Sequence, residues 1–366
     1  MGWHLQMAKI SPLLLHDRPT KPSRQLETTE VPMATSPAPA STAFKLPAGP
    51  WIGFAAVLAL FTALIGIKGD LGTFLSLGNL RVLLHEGTIP AVVALGMLLV
   101  LISGGIDLSV GATVALVTVV TMRVYTAMYT ASDPSPTSSV VACVCGVLAG
   151  GLVGFVNGLL VTKLQLPPFV ATLGMLGIAR GAAVWLAGRA TLPFPLNGTP
   201  EWVNTVGRVS LTNPGLWSLV ALALLTVVLL RLTVFGRHLY AVGSNEATAR
   251  LCGVNVTRTK VLVYTLAGLL TGWAGVIMFA HSNSGNPTLG EQLELDVITA
   301  VVIGGASLSG GKGGVVGAML GVAILILIKN GVSLFNVPVE MQYVLIGALL
   351  VANVSLNRWR ERKNRA

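Results

Sequence analysis

The chain has 366 residues, 53% of them hydrophobic and only 10% charged, and its mean hydropathy is +0.76. Soluble domains carry roughly a quarter charged residues, so there is too little charge here to cover a water-soluble globular surface. The net charge of +10 does not point to nucleic acid, because the basic residues gather in two tails and one internal stretch with no aromatic-rich basic groove. Charge at helix ends facing an anionic leaflet accounts for it.

Residues 1–50 are polar and rich in Pro, Ser and Thr, as in VPMATSPAPASTAFKLPAGP. That composition predicts a disordered tail. The tail lacks the basic region, apolar core and small-residue site of a cleaved signal peptide, and Met33 is a second candidate start. Apolar spans follow, at about 20 residues per crossing. They fall near 51–67, 86–103, 105–123, 139–162, 169–188, 214–231, 260–281, 293–306, 313–330 and 339–356. The expected fold is therefore all-α and polytopic, with about ten transmembrane helices in a domain over 51–356. Ten crossings put both termini on one side. The N-tail, the stretch 231–260 and the C-tail 357–366 each hold five Lys or Arg, whereas the 124–138 loop holds none and the 189–213 loop two. The positive-inside rule then makes both tails and the 232–259 loop cytoplasmic.

Several spans carry glycines four apart: Gly150, Gly154 and Gly158; Gly268 and Gly272; Gly313, Gly317 and Gly321. In lipid such ladders let helix backbones approach closely, which predicts a tightly packed bundle. Cys143, Cys145 and Cys252 lack companion ligands and are expected as buried thiols.

Polar residues inside the spans are few. Asp107 lies in LISGGIDLSVGATVAL, an otherwise uncharged stretch. An ionisable group at membrane depth costs about 2.5–3.5 kcal/mol, so it normally faces protein or water. Gly104 and Gly105 loosen the chain before it, and Asp107 or Ser109 can cap the helix that resumes. Two readings stay open: a broken helix lining a polar pathway, or an inter-span turn with Asp107 as a plain cap. Asn157, Gln165 and Thr172 can hydrogen-bond a sugar or serve as interhelical glue. Trp202 and Trp217 suit an aromatic belt at one interface.

The stretch 231–260, RLTVFGRHLYAVGSNEATARLCGVNVTRTK, is a polar island between apolar spans, with Glu246 its only acid. Residues 245–252 read as one short helix. Ser244 or Asn245 caps its N–H groups, Glu246 suits the positive end of the dipole, and Gly253 takes the left-handed position after it. Without a strong apolar stripe, the helix reads as a docking element held at the membrane surface.

Further along, Glu291, Glu294 and Asp296 cluster where a span begins, either lining an outer vestibule or merely favouring the helix start. IGGASLSGGKGG from Ile303 repeats the Gly-Gly-x-x-Leu-Ser of 104–109. Its Lys312 does not make a phosphate loop: Ala306 stands where the first glycine belongs, and Gly313 replaces Ser or Thr. No nucleophile–base set, paired carboxylates or metal-ligand spacing stands out. A catalytic role, a cofactor and a metal are therefore not expected.

Four motifs, ALGMLLVLISGGIDLSVGA (94–112), NGLLVTKLQLPPFVATLGMLGIARG (157–181), GRHLYAVGSNEATARLCGVNVTRTK (236–260) and LELDVITAVVIGGASLSGGKGGVVGAMLG (293–321), resemble the permease subunit of bacterial carbohydrate ABC importers of the ribose, xylose, arabinose and rhamnose type. The resemblance implies a bacterial inner-membrane complex of two permeases, as homo- or heterodimer, two cytoplasmic ATP-binding subunits, and a periplasmic binding protein that delivers the sugar. It implies ATPase coupling at Gly243, Asn245, Glu246, Ala249, Arg250 and Gly253. Together with the polar residues above, the expected pathway set is Asp107, Ser109, Asn157, Thr172 and Asp296. The alternative is an ion-gradient-driven secondary transporter with Asp107 as coupling group.

Overall fold

A computed structural model describes residues 48–129, 136–196 and 198–338, with five positions between 341 and 348. The N-terminal tail up to 47, most of the span expected at 339–356 and the C-tail lie outside the described residues. In chain order the elements are α1 (Ala48–Lys68), α2 (Leu71–Phe74), α3 (Leu77–Ile102), α4 (Val110–Met128), α5 (Pro136–Thr162) and α6 (Pro168–Ala187). After β1 (Leu192–Pro193) come α7 (Glu201–Gly207), α8 (Pro214–Leu232), α9 (Val234–Ser244), α10 (Glu246–Leu251) and α11 (Val256–Ser282). The described part closes with β2 (Ser284–Gly285), α12 (Leu293–Ile303) and α13 (Val315–Leu334). The fold is that of an all-α polytopic permease, and β1 and β2 form only a two-residue antiparallel clip between the ends of α6 and α11.

Among the described residues eight helices are long and apolar enough to cross a membrane: α1, α3, α4, α5, α6, α8, α11 and α13. Three expected spans need correction. The eighth, 293–306, is the 11-residue α12, about 16 Å long at 1.5 Å per residue. It reaches only about half-way through a hydrocarbon core of roughly 30 Å. Its glycine-rich ends stop it: Gly290 and Gly305 both adopt positive φ. The spans drawn at 86–103 and 105–123 are also displaced, because α3 starts nine residues earlier and α4 only at Val110. Ser76 sets the earlier start by accepting from the Asn79 amide at 3.0 Å.

α3 is the central helix. Every residue from Thr88 to Ile102 is buried, so this half is apolar all round, the pattern of a helix enclosed by others. α8, α11, α12 and α13 all pack against it. The most extensive helix pair is α5 with α11, where the expected glycine ladders face one another. A Cβ on Gly150 would stand 2.6 Å from the Gly268 carbonyl oxygen, so only glycine allows this spacing. Gly317 and Gly321 do the same for α13 against Gly304 and Ala300 of the α12 hairpin.

Candidate functional site

The island folds as two helices, not one. α9, missed in the sequence, starts where Thr233 accepts from the Gly236 amide at 3.2 Å and buries Leu239 and Val242. α10 follows, capped by Asn245, whose side-chain oxygen accepts from the Thr248 amide at 2.9 Å. Gly253 ends it with φ +83°, a conformation that costs other residues strain. The coupling residues then separate by what they touch. Ala249 packs on Val242 and Val256. Gly243 lies so close to the Ile102 carbonyl that any side chain there would collide with it. That same carbonyl accepts from the Gly311 amide at 2.9 Å, and the Tyr240 hydroxyl donates to the Gly313 carbonyl at 2.8 Å. The island is thereby bolted to the end of α3 and to the α12–α13 loop.

Glu246 braces α10 to α11. Its carboxylate pairs with Lys260 at 2.6 Å and with Arg250 at 3.2 Å. The hydrogen bond from Lys260, helped by Arg250, holds its carboxyl below the ordinary value against partial burial. What faces outward is Arg250 and, beyond it, Leu251 at 89% exposure. Sequence reasoning passed over Leu251; an apolar residue on a short helix without an apolar stripe is the signal that could have found it. Cys252 beside it is exposed rather than buried, whereas Cys143 and Cys145 are half-buried; all three are free.

Four of the five expected pathway residues come together, a short way into the bundle from that surface: Thr172 donates to the carbonyl of Pro168, which lines a recess together with Glu246 and Arg250. Between α3 and α4 the chain leaves the helix for residues 103–109, with φ +80° at Gly104. α4 therefore begins beside the start of α12, where Gly111 approaches the Gly290 carbonyl and the Glu294 carboxylate. Asp107 accepts from the Ser109 amide at 2.8 Å and from its hydroxyl at 2.6 Å. Asn157 of α5 donates to the Ser109 hydroxyl at 2.9 Å, and Thr172 of α6 donates to the Ile106 carbonyl at 3.1 Å. Ser109 makes no side-chain cap of its own. All four side chains are 3% exposed or less. They hold an extended segment against α5 and α6 and present no open polar surface. Asn157 Oδ1 and the Tyr264 hydroxyl, also buried, have no hydrogen-bond partner among the described residues.

Asp296 stands apart from that group and pairs with Lys329 of α13. Arg180 of α6 donates to the carbonyls of Pro287 and Leu289, fastening the segment before α12. Among the described residues no group of three or more His, Cys, Asp or Glu is arranged to hold a metal.

A family model described as branched-chain amino acid transport system permease component matches residues 80–354. The ribose import permease RbsC of Bacillus subtilis is 38% identical over 314 residues, covering 85% of this chain and 92% of the relative. The L-arabinose ABC transporter permease AraH of Azospirillum brasilense is 34% identical over 353 residues, 92% and 97% of the two chains. The fructose import permease FrcC of Rhizobium meliloti is 34% identical over 294 residues, 79% and 80% of the two. No solved structure matches.

Proposed function

The chain belongs to the branched-chain amino acid transport system permease family, and from that premise we propose that it is the membrane subunit of an ATP-driven importer for a monosaccharide. The relatives named for ribose, arabinose and fructose support a sugar as cargo. Two permeases, as homo- or heterodimer, form the pathway in a bacterial inner membrane, with both termini cytoplasmic. Separate ATP-binding subunits drive it, and a periplasmic protein delivers the sugar.

The observation that carries the reading is α10: a six-residue helix capped at both ends, clasped to α11 by an ion pair, with Arg250 and Leu251 left outward. A capped, braced and exposed helix is a rigid lever. Its attachments run through Gly243 to the end of α3 and through Lys260 to α11, so a push on α10 reaches the core of the bundle. When ATP draws the two ATPases together, the levers follow and the bundle rocks to expose its other face. Gly243, Asn245, Ala249 and Gly253 shape the lever, Glu246 braces it, and Arg250 with Leu251 meets the ATPase. The ion-gradient alternative gains no support, because Asp107 is enclosed.

The test uses the importer assembled from this permease, its ATPase and its binding protein. Glu246→Ala with Arg250→Ala should abolish sugar-stimulated ATP hydrolysis and uptake while membrane insertion is retained. Unchanged transport in that double variant would overturn the assignment. Native Cys252 reports sidedness: a membrane-impermeant thiol reagent should modify it in inside-out vesicles and spare it in intact cells.

A further inference from the structure

A cavity of about 530 Å³ between α1, α3, α8 and α13 has Ser76 as its only polar side chain and suits acyl chains. A second recess of about 350 Å³ between α3 and α13 is different. Its lining brings together Glu86, Lys329, Asn330, Ser333 and Gln342 over an apolar wall that includes Leu83 and Ile326. It lies toward the end of the bundle opposite the docking helix, since α3 runs from here down to Ile102 beside Gly243.

The chemistry of the recess fits a neutral polyol. Glu86 is exposed and takes part in none of the ion pairs among the described residues. It sits about 13 Å along α3 at 1.5 Å per residue, where a carboxylate facing lipid is costly. Pro90, four residues on, has no N–H, so the Glu86 backbone carbonyl lacks its usual i+4 helical donor. Donors stand opposite. Lys329 is neutralised from behind by Asp296 and keeps further N–H groups. Asn330 and Asn79 fix each other through two amide hydrogen bonds, 2.8 and 3.1 Å long. Each amide offers two donors and an acceptor oxygen, so Asn330 has capacity left. A sugar hydroxyl both donates and accepts, and apolar Leu83 and Ile326 suit the C–H face of a ring. The volume lies at the lower end of small-molecule pockets, roughly 300–1,000 Å³.

We infer that this recess is the first polar subsite a monosaccharide-sized polyol meets on entering the permease. The inference rests on the importer reading above. Glu86 accepts two hydroxyls, and Ser333, whose side chain makes no hydrogen bond among those described, completes the contact.

The test uses the same assembled importer in proteoliposomes, with a radiolabelled panel of pentoses and hexoses that includes ribose, arabinose and fructose. Glu86→Gln and Ser333→Ala should each lower initial uptake of the carried sugar about five- to tenfold, while ATP hydrolysis stimulated by the loaded binding protein stays within about twofold. In a background without Cys143, Cys145 and Cys252, Ser333→Cys should react with an impermeant thiol reagent, and the carried sugar should slow that reaction at least threefold. Wild-type uptake with unaffected variants and no protection overturns the inference alone. A wild-type importer that carries no sugar of the panel overturns the importer reading, and the inference falls with it.

Discussion

Asp107 and Glu86 are both carboxylates within the apolar bundle, and they are used in opposite ways. Asp107 is enclosed, and its Oδ1 is spent on the Ser109 amide and hydroxyl. Glu86 is exposed in a recess whose donors are still available. The difference separates polar groups that fix the backbone from polar groups that meet a passing solute. A charge in a membrane span is not by itself a sign of transport; what matters is whether its hydrogen-bonding capacity has already been used.

The sharpest way to break this comparison is at the one bond that backs the open recess. Lys329→Met leaves Asp296 buried without its cation, a change that costs about 3–5 kcal/mol. The detergent-purified protein should lose most of its folded yield and melt markedly lower. Asp296→Asn combined with Lys329→Met should regain a large part of that loss, because no lone charge remains. A double variant as unstable as the single one would show that Asp296 is not what makes Lys329 necessary.

Asp107→Ala comes next. It strands the Ser109 amide and hydroxyl and opens a small void, worth about 2–4 kcal/mol together. Melting temperature and yield should fall, while uptake per folded molecule stays near wild type. Normal folding with uptake abolished would instead make Asp107 a transport group. Thr172→Val is milder, about 1 kcal/mol, because it forfeits a single hydroxyl that donates to both Ile106 and Pro168 carbonyls.

Much of the closed site was legible in the sequence. Gly104 and Gly105 before Asp107 marked a break that the sequence left open between a broken helix and an inter-span turn, and the segment joins two separate spans. Asn157 and Thr172 stood out as polar residues in or next to spans. What periodicity could not give was their meeting place, since residues 48 and more apart converge only once α3, α5 and α6 have packed. The open recess was not legible at all. Glu86, next to His85, and Asn330, next to Lys329, are more than 240 residues apart, and only the packing of α13 on α3 joins them. Pro90 inside a span was the one local hint. At the island, Asn245 and Gly253 were readable because capping is local chemistry. α9 was hidden because its amphipathic face is buried against neighbours that lie elsewhere in the chain.

Glu246 lies between the two extremes, half-exposed and paired, and gives the smallest expected effect. Lys260 and Arg250 hold its carboxyl below the ordinary value. A carboxyl depressed in the folded state stabilises fully above its unfolded value of about 4.3. That contribution is lost as pH falls through the lower folded value. The clasp between α10 and α11 should therefore be intact at neutral pH and loosen only in acid. Glu246→Gln should lower the melting temperature by a degree or two at neutral pH, in keeping with an exposed pair worth roughly 0.2–1 kcal/mol. As the pH is taken below about 4 the two curves should converge, because the wild-type carboxyl is then as uncharged as the amide. A gap that persists in acid would mean that shape, and not charge, seats the lever on α11.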